Sequence, residues 1–110
     1  MKKSLMIRYV ARAKIIKAKA HPSRLLIIDE LNKQERCVGE LAEMVGSDAS
    51  TVSKHLSVLK NAGLVSEEKR GNCVYYSLHC ACMLDFVDCV EDVLVANADE
   101  QKQMLKSCKR

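Results

Sequence analysis

Residues Ser47-Asp-Ala-Ser-Thr-Val-Ser-Lys-His-Leu-Ser-Val-Leu-Lys-Asn-Ala-Gly63 decide how this chain folds. They read as a capped amphipathic helix, with Asp48 suited to the N-cap and Gly63 to the residue just past the end. Val52, Leu56 and Leu59 recur at i, i+4 and i+7 and point inward, which leaves Ser50, Thr51, Ser53, Lys54 and Ser57 on the outer face. Short hydroxyl side chains near a helix N-terminus donate to phosphates and reach base edges without filling the major groove, and lysine adds sequence-independent attraction. His55 and Lys60 on the same helix are further candidate contacts, although His55 also suits packing. An ordinary solvated helix would carry a similar face, so the neighbouring segments decide.

Cys37 to Val45 supplies a short helix through Val38, Leu41, Ala42 and Val45, and Gly46-Ser47-Asp48 turns into the helix above. Two helices joined by a short Gly-containing turn form a helix-turn-helix over residues 37–63, in which the second helix reads DNA. Past Gly63 the period changes. Leu64 to Glu68 and Cys73 to Leu78 read as strands around Lys69-Arg70-Gly71-Asn72, a hairpin over residues 64–78 with a basic tip. Such a hairpin behind a reader helix is a wing, and Lys69 and Arg70 at its tip are candidate contacts to the DNA backbone or minor groove.

Upstream, residues 5–19 form a first helix with Met6, Val10, Ala13 and Ile16 or Lys17 at helical spacing and a basic opposite face. Pro22 restarts the chain at a first helical turn, with Leu25, Leu26, Ile28 and Leu31 as the buried face of a second helix ending near Lys33. Residues 80–106 form a long last helix whose stripe, Cys82, Phe86, Cys89 and Val93 with Met83, Val87, Val90 and Leu94, is too wide for one small core. It is suited to pairing with a second copy across a two-fold axis.

The 110 residues suit a single domain, mainly α with a small β-hairpin, in the order α-α-α-α-β-β-α. A net charge of +4, from 18 basic against 14 acidic residues, permits nucleic-acid binding without demanding it. Arg8, Arg12 and Lys14 interrupt any signal-peptide core and no span reaches membrane length, so a cytosolic protein with no membrane partner is expected. In that reducing compartment the six cysteines are thiols or metal ligands rather than a disulfide frame. No nucleophile–base constellation, phosphate loop or open catalytic metal motif is present, so neither an enzyme nor a catalytic cofactor is expected. A winged helix serving only protein interaction remains the non-regulatory alternative.

Three segments resemble the ArsR/SmtB family of bacterial metal-responsive repressors, between His21 and Leu78. Lys17-Ala-Lys-Ala-His-Pro-Ser-Arg-Leu25 is similar to the family's opening ALAHPTRL. Ser50-Thr-Val-Ser-Lys-His-Leu-Ser-Val-Leu-Lys-Asn-Ala-Gly-Leu64 is similar to its S-x-V-S-x-H-L-x-x-L-x-x-A-G-L reader. Gly71-Asn-Cys-Val-Tyr-Tyr-Ser-Leu78 is similar to its wing return strand. The resemblance implies a winged-helix homodimer with the first and last helices at the interface. It also implies that the metal-free form sits on palindromic double-stranded operator DNA and that metal binding releases it.

The family's arsenic site is a Cys-Val-Cys in the third helix, and here that run is Cys37-Val38-Gly39, which lacks the second thiol. The family's zinc site in the last helix begins Asp-x-His, and here Cys80-Ala-Cys82 takes that place. Thiolates for carboxylate and imidazole shift preference to soft ions: As(III), Sb(III), Cd(II), Pb(II) or Hg(II). Zinc stays open because His79 adjoins Cys80. Cys89 lies seven residues after Cys82, about 10 Å along the axis, so the two cannot share an ion within one helix. Antiparallel last helices across a dimer axis bring Cys80 and Cys82 of one chain to Cys89 of the other. Cys80, Cys82 and Cys89 are therefore the expected metal ligands, with Cys37 and Cys108 as secondary candidates and Cys73 structural. Two alternatives stand beside this: Cys82 and Cys89 as plain packing residues, and a thiol-based redox or persulfide sensor in which two cysteines bridge.

Overall fold

The computed structural model describes the backbone of residues 2–79 and 83–108, and the side chains of residues 3–79 and 88–104. Its elements are α1 (Lys2–Lys19), α2 (Pro22–Lys33), β1 (Arg36–Cys37), α3 (Val38–Val45), α4 (Ala49–Asn61), β2 (Val65–Arg70), β3 (Cys73–Leu78) and α5 (Met83–Cys108). This is a winged helix-turn-helix order, in two compact units, residues 1–80 and 81–110.

In the first unit, α4 forms as its sequence dictates. The Asp48 carboxylate accepts from the Thr51 backbone N–H at 2.7 Å, and this bond holds its carboxyl below the ordinary carboxylate range. At the other end Gly63 takes a left-handed φ of 80°. The Leu64 N–H then donates to the Leu59 carbonyl and the Gly63 N–H to the Lys60 carbonyl, each at 2.9 Å, which is the Schellman pattern. Open space surrounds the position where a Gly63 Cβ would stand, so Gly63→Ala pays only the left-handed backbone penalty. It is expected to lower stability by about 1–2 kcal/mol, read as a lower urea midpoint at unchanged slope.

Val52, Leu56 and Leu59 of α4 are wholly buried, as are Ile27 and Ile28 of α2 and Leu41 of α3, with Ala18, Leu31, Leu64, Val65 and Tyr76 completing the core. The inward face of α2 is thus Ile27, Ile28 and Leu31, whereas Leu25 is half-buried and Leu26 exposed, a correction to the expected Leu25, Leu26, Ile28 and Leu31. Four consecutive apolar residues from Leu25 to Ile28 carry no helical phase of their own; packing against α3, α4 and β3 selects it.

The wing is a three-stranded antiparallel sheet in the order β1-β3-β2, not a lone hairpin. Arg36 pairs with Tyr76 and Cys37 with Tyr75, and β2 runs against β3 from Val65–Leu78 to Arg70–Cys73. Lys69 and Arg70 lie in β2, so the turn shrinks to Gly71-Asn72. Gly71 has φ 62° and no other residue type among those described has positive φ, which gives the signs of a type II′ turn.

Candidate nucleic-acid interface

Burial of Val52, Leu56 and Leu59 turns the opposite side of α4 to solvent. Ser50, Thr51, Lys54, Ser57 and Lys60 are exposed there, and Ser53 is half-buried. Lys54 makes no salt bridge with any described residue, though its charge helps to keep Asp48 ionised. Lys60 instead donates to Glu67 on β2. Glu67 is held below the ordinary carboxylate range by that lysine and by the Tyr76 hydroxyl. Burial, followed by Glu67, pushes the Tyr76 phenol up to about 12.

Of the two basic wing residues, Lys69 is exposed and without an ion pair among the described residues, while Arg70 is heavily engaged. Arg70 Nη1 and Nη2 donate to Glu35 Oε1 and Oε2 at 2.6 and 3.1 Å, and Nη2 also donates to Glu68 at 3.0 Å. Its guanidinium lies 5.1 Å from the Tyr75 ring centroid. These carboxylates raise the pKa of Arg70 and compensate its charge locally. A phosphate reaching Arg70 would have to displace a bidentate partner. Neither Glu35 nor Glu67 stood among the sequence candidates, because each finds its cation across the fold.

His55 is half-buried rather than displayed. Its ring centroid lies 4.4 Å from that of His21, whose Nδ1 accepts from the Ser23 N–H at 3.1 Å and caps α2. Burial, then the positive potential of His21 and Arg24, holds His55 below its ordinary value of 6.5. The unfolded chain therefore binds the extra proton first as pH falls. Stability is fully present above about pH 6.5 and declines below it, until the folded-state pKa is passed. Between about pH 7.5 and about pH 6 the thermal midpoint is expected to fall, and His55→Gln to flatten that decline, in melting curves recorded by circular dichroism. Glu30, Glu40, Asp48, Glu67 and Glu68, all lowered, act in the same direction but only near and below their ordinary carboxylate range.

The thiols fall into three groups. Cys37 is half-buried as the N-cap of α3, and its backbone N–H donates to Glu40 Oε1 at 3.1 Å. The Cys37 N–H and thiol together hold Glu40 below the ordinary carboxylate range. Cys73, on β3, and Cys89, on α5, are free and exposed. Cys80 and Cys82 lie outside the described residues, as does the side chain of Cys108. Among the described residues no three His, Cys, Asp or Glu side chains converge as a metal site. His79 is exposed, with Nδ1 3.5 Å from Ser66 Oγ.

Comparison with known proteins follows the same stretch. Residues 21–67 match the family described as bacterial regulatory protein, arsR family. The nodulation protein NolR of Rhizobium meliloti is 36% identical over 96 residues, covering 86% of this chain and 79% of that one. A cadmium resistance transcriptional regulatory protein CadC homologue of Staphylococcus aureus is 40% identical over 67 residues, 60% of this chain and 55% of its own length. The crystal structure of NolR from Sinorhizobium fredii superposes with TM-score 0.77 at 32% identity, covering 84% of this chain and 93% of that one. The homodimeric winged helix-turn-helix DNA-binding domain Mb0332 from Mycobacterium bovis does so with TM-score 0.72 at 28% identity, covering 90% of each. No helix among the described residues is long and apolar enough to cross a membrane.

Proposed function

The chain belongs to the ArsR/SmtB family of bacterial transcriptional regulators and is not an enzyme, and from that premise we propose that it is a homodimeric repressor whose operator complex is released by a thiophilic ion. The observation that carries the DNA-binding part is the division of α4 into a wholly buried apolar face and an exposed hydroxyl-and-lysine face. Ser50, Thr51, Ser53, Lys54 and Ser57 contact the major groove. Lys60 and Lys69 lie beside the backbone, and Arg70 joins them by exchanging Glu35 for phosphate. His55 supports the reader from within.

Dimerisation through α1 and α5 is supported by the apolar side chains that each presents to solvent. Met6, Val10 and Ile16 on α1 are 60%, 58% and 47% exposed, and Val90, Val93, Leu94 and Val95 on α5 are exposed as well. Apolar surface on this scale marks an interaction site. A homodimer would also set two readers about one helical turn of DNA, roughly 34 Å, apart.

The proposed ligands are Cys80, Cys82 and Cys89, and the proposed inducer is As(III) or Sb(III), with Cd(II), Pb(II) or Zn(II) as alternatives. The free, exposed Cys89 thiol fits that role. Cys37, half-buried at the N-cap of α3, and Cys108 stand second to these three. An ion held there would fix the relative angle of two protomers and hence the spacing of their readers. The cadmium-resistance relative supports a soft ion without choosing among them. The test is fluorescence anisotropy of the full chain on an operator duplex, titrated with arsenite while thiols are kept reduced. Release at one ion per protomer is expected. Indifference to every thiophilic ion, with release by peroxide or persulfide alone, would replace this reading by the thiol-redox one.

A further inference from the structure

A groove of about 480 Å³ lies between α1, α2 and the C-terminal half of α4, lined by Lys14, Lys17, Ala18, Arg24, Val58, Asn61 and Ala62. Its charge is one-sided: two lysines, one arginine, one amide and no carboxylate. Lys14 and Lys17 stand one turn apart on α1, exposed and without an ion pair among the described residues. Arg24 is placed differently. It shares the face of α2 that carries Ile27, Ile28 and Leu31 into the core, and its Nε is buried with no hydrogen-bond partner among the described residues. Arg24 and the two lysines thus give the groove three cations and no carboxylate in its lining. Ala18, Val58 and Ala62 add apolar wall, and the volume is that of a small-molecule site.

We propose that this groove binds a small organic dianion, a phosphomonoester or a dicarboxylate, with Arg24 as the fork and Lys14 and Lys17 as flanking charges. A planar guanidinium takes two anionic oxygens at once, and each ammonium takes one more. Asn61 offers an amide to an ester oxygen or hydroxyl, and the alanine and valine surfaces accept the carbon skeleton. The site needs no thiol and lies on a flank of α4 away from Ser50, Lys54 and Ser57. It therefore stands or falls independently of the metal reading.

Titration calorimetry of the full chain with phenyl phosphate and, separately, succinate tests this, at ionic strength held constant with chloride. Saturable one-to-one binding of at least one probe is expected, and which one binds tells the phosphate source from the carboxylate source. Lys14→Gln combined with Lys17→Gln alters only exposed side chains and is expected to weaken binding by about tenfold or more, from the charge-assisted hydrogen bonds lost. Lys17→Arg is expected to retain it. No saturable heat with either probe, or equal binding by the double variant, overturns the proposal. So does loss of operator affinity with a shallower salt dependence in that variant, which would make the groove a DNA-backbone contact. Loss of the dimer in sedimentation, which would make it a subunit interface, overturns it equally.

Discussion

Lys54→Glu is expected to lower operator affinity about a hundredfold while leaving the fold intact, and Lys54→Gln by about thirtyfold. The effect is one of counterions. Each neutralised phosphate contributes roughly 0.9 to the slope of log affinity against log salt, so losing one contact from each protomer of a dimer lowers that slope by about 1.8. At roughly 0.15 M salt this amounts to about thirtyfold in affinity, and reversing the charge adds screened repulsion worth about threefold more. The cation is available for that role because it makes no salt bridge among the described residues, unlike Lys60, which is paired with Glu67. As an exposed helical residue with good propensity at either substitution, it should change stability by less than about 0.5 kcal/mol. Anisotropy titrations across a salt series check this. An unaltered slope in Lys54→Gln would remove Lys54 from the interface and with it the assigned orientation of α4.

The contrast between Lys54 and Arg70 indicates what a sequence can carry about such a site. Lys54 was legible because its neighbours along the helix settle its environment: Asp48 caps, Val52 and Leu56 turn inward, and the outer face follows from a 3.6-residue period. The surroundings of Arg70 are not local. Its partner Glu35 is distant in sequence and reaches it through β1, a strand of two residues that exists only because it pairs with β3. Two residues have no periodicity to read. The strand β2 is polar along most of its length and alternates too weakly to show its end, so the sequence suits a four-residue turn, whereas Gly71 alone among those four has a positive φ. The basic groove is a further case. A basic face on α1 was visible, but its meeting with Arg24 needed the phase of α2, which the run Leu25 to Ile28 conceals. For the thiols, spacing along one helix is readable, whereas a ligand set that draws on a second chain depends on assembly.

Cys89→Ser is expected to abolish release by arsenite and to leave operator affinity within about threefold, a separation that few other single substitutions would produce. Cys89 is exposed on α5, and serine and cysteine have similar helix propensities, so the helix itself should persist with a change below about 0.5 kcal/mol. The chemistry, by contrast, changes sharply. A hydroxyl stays protonated at neutral pH and offers a hard oxygen where a soft ion requires a thiolate. If three sulfurs hold the ion across two protomers, losing one from each chain removes one ligand from both sites together. The coupling then disappears, and a typical coupling of about 1–3 kcal/mol corresponds to roughly 5- to 150-fold in operator affinity. Cys73→Ser serves as the control, since Cys73 is also exposed but lies on the wing; it is expected to retain full release. Release surviving in Cys89→Ser would remove Cys89 from the ligand set, and release lost in Cys73→Ser would move the sensor to the sheet. Because binding couplings are reciprocal, operator DNA should weaken arsenite binding to the unsubstituted protein by the same factor that arsenite weakens operator binding, and in Cys89→Ser both factors should fall to unity.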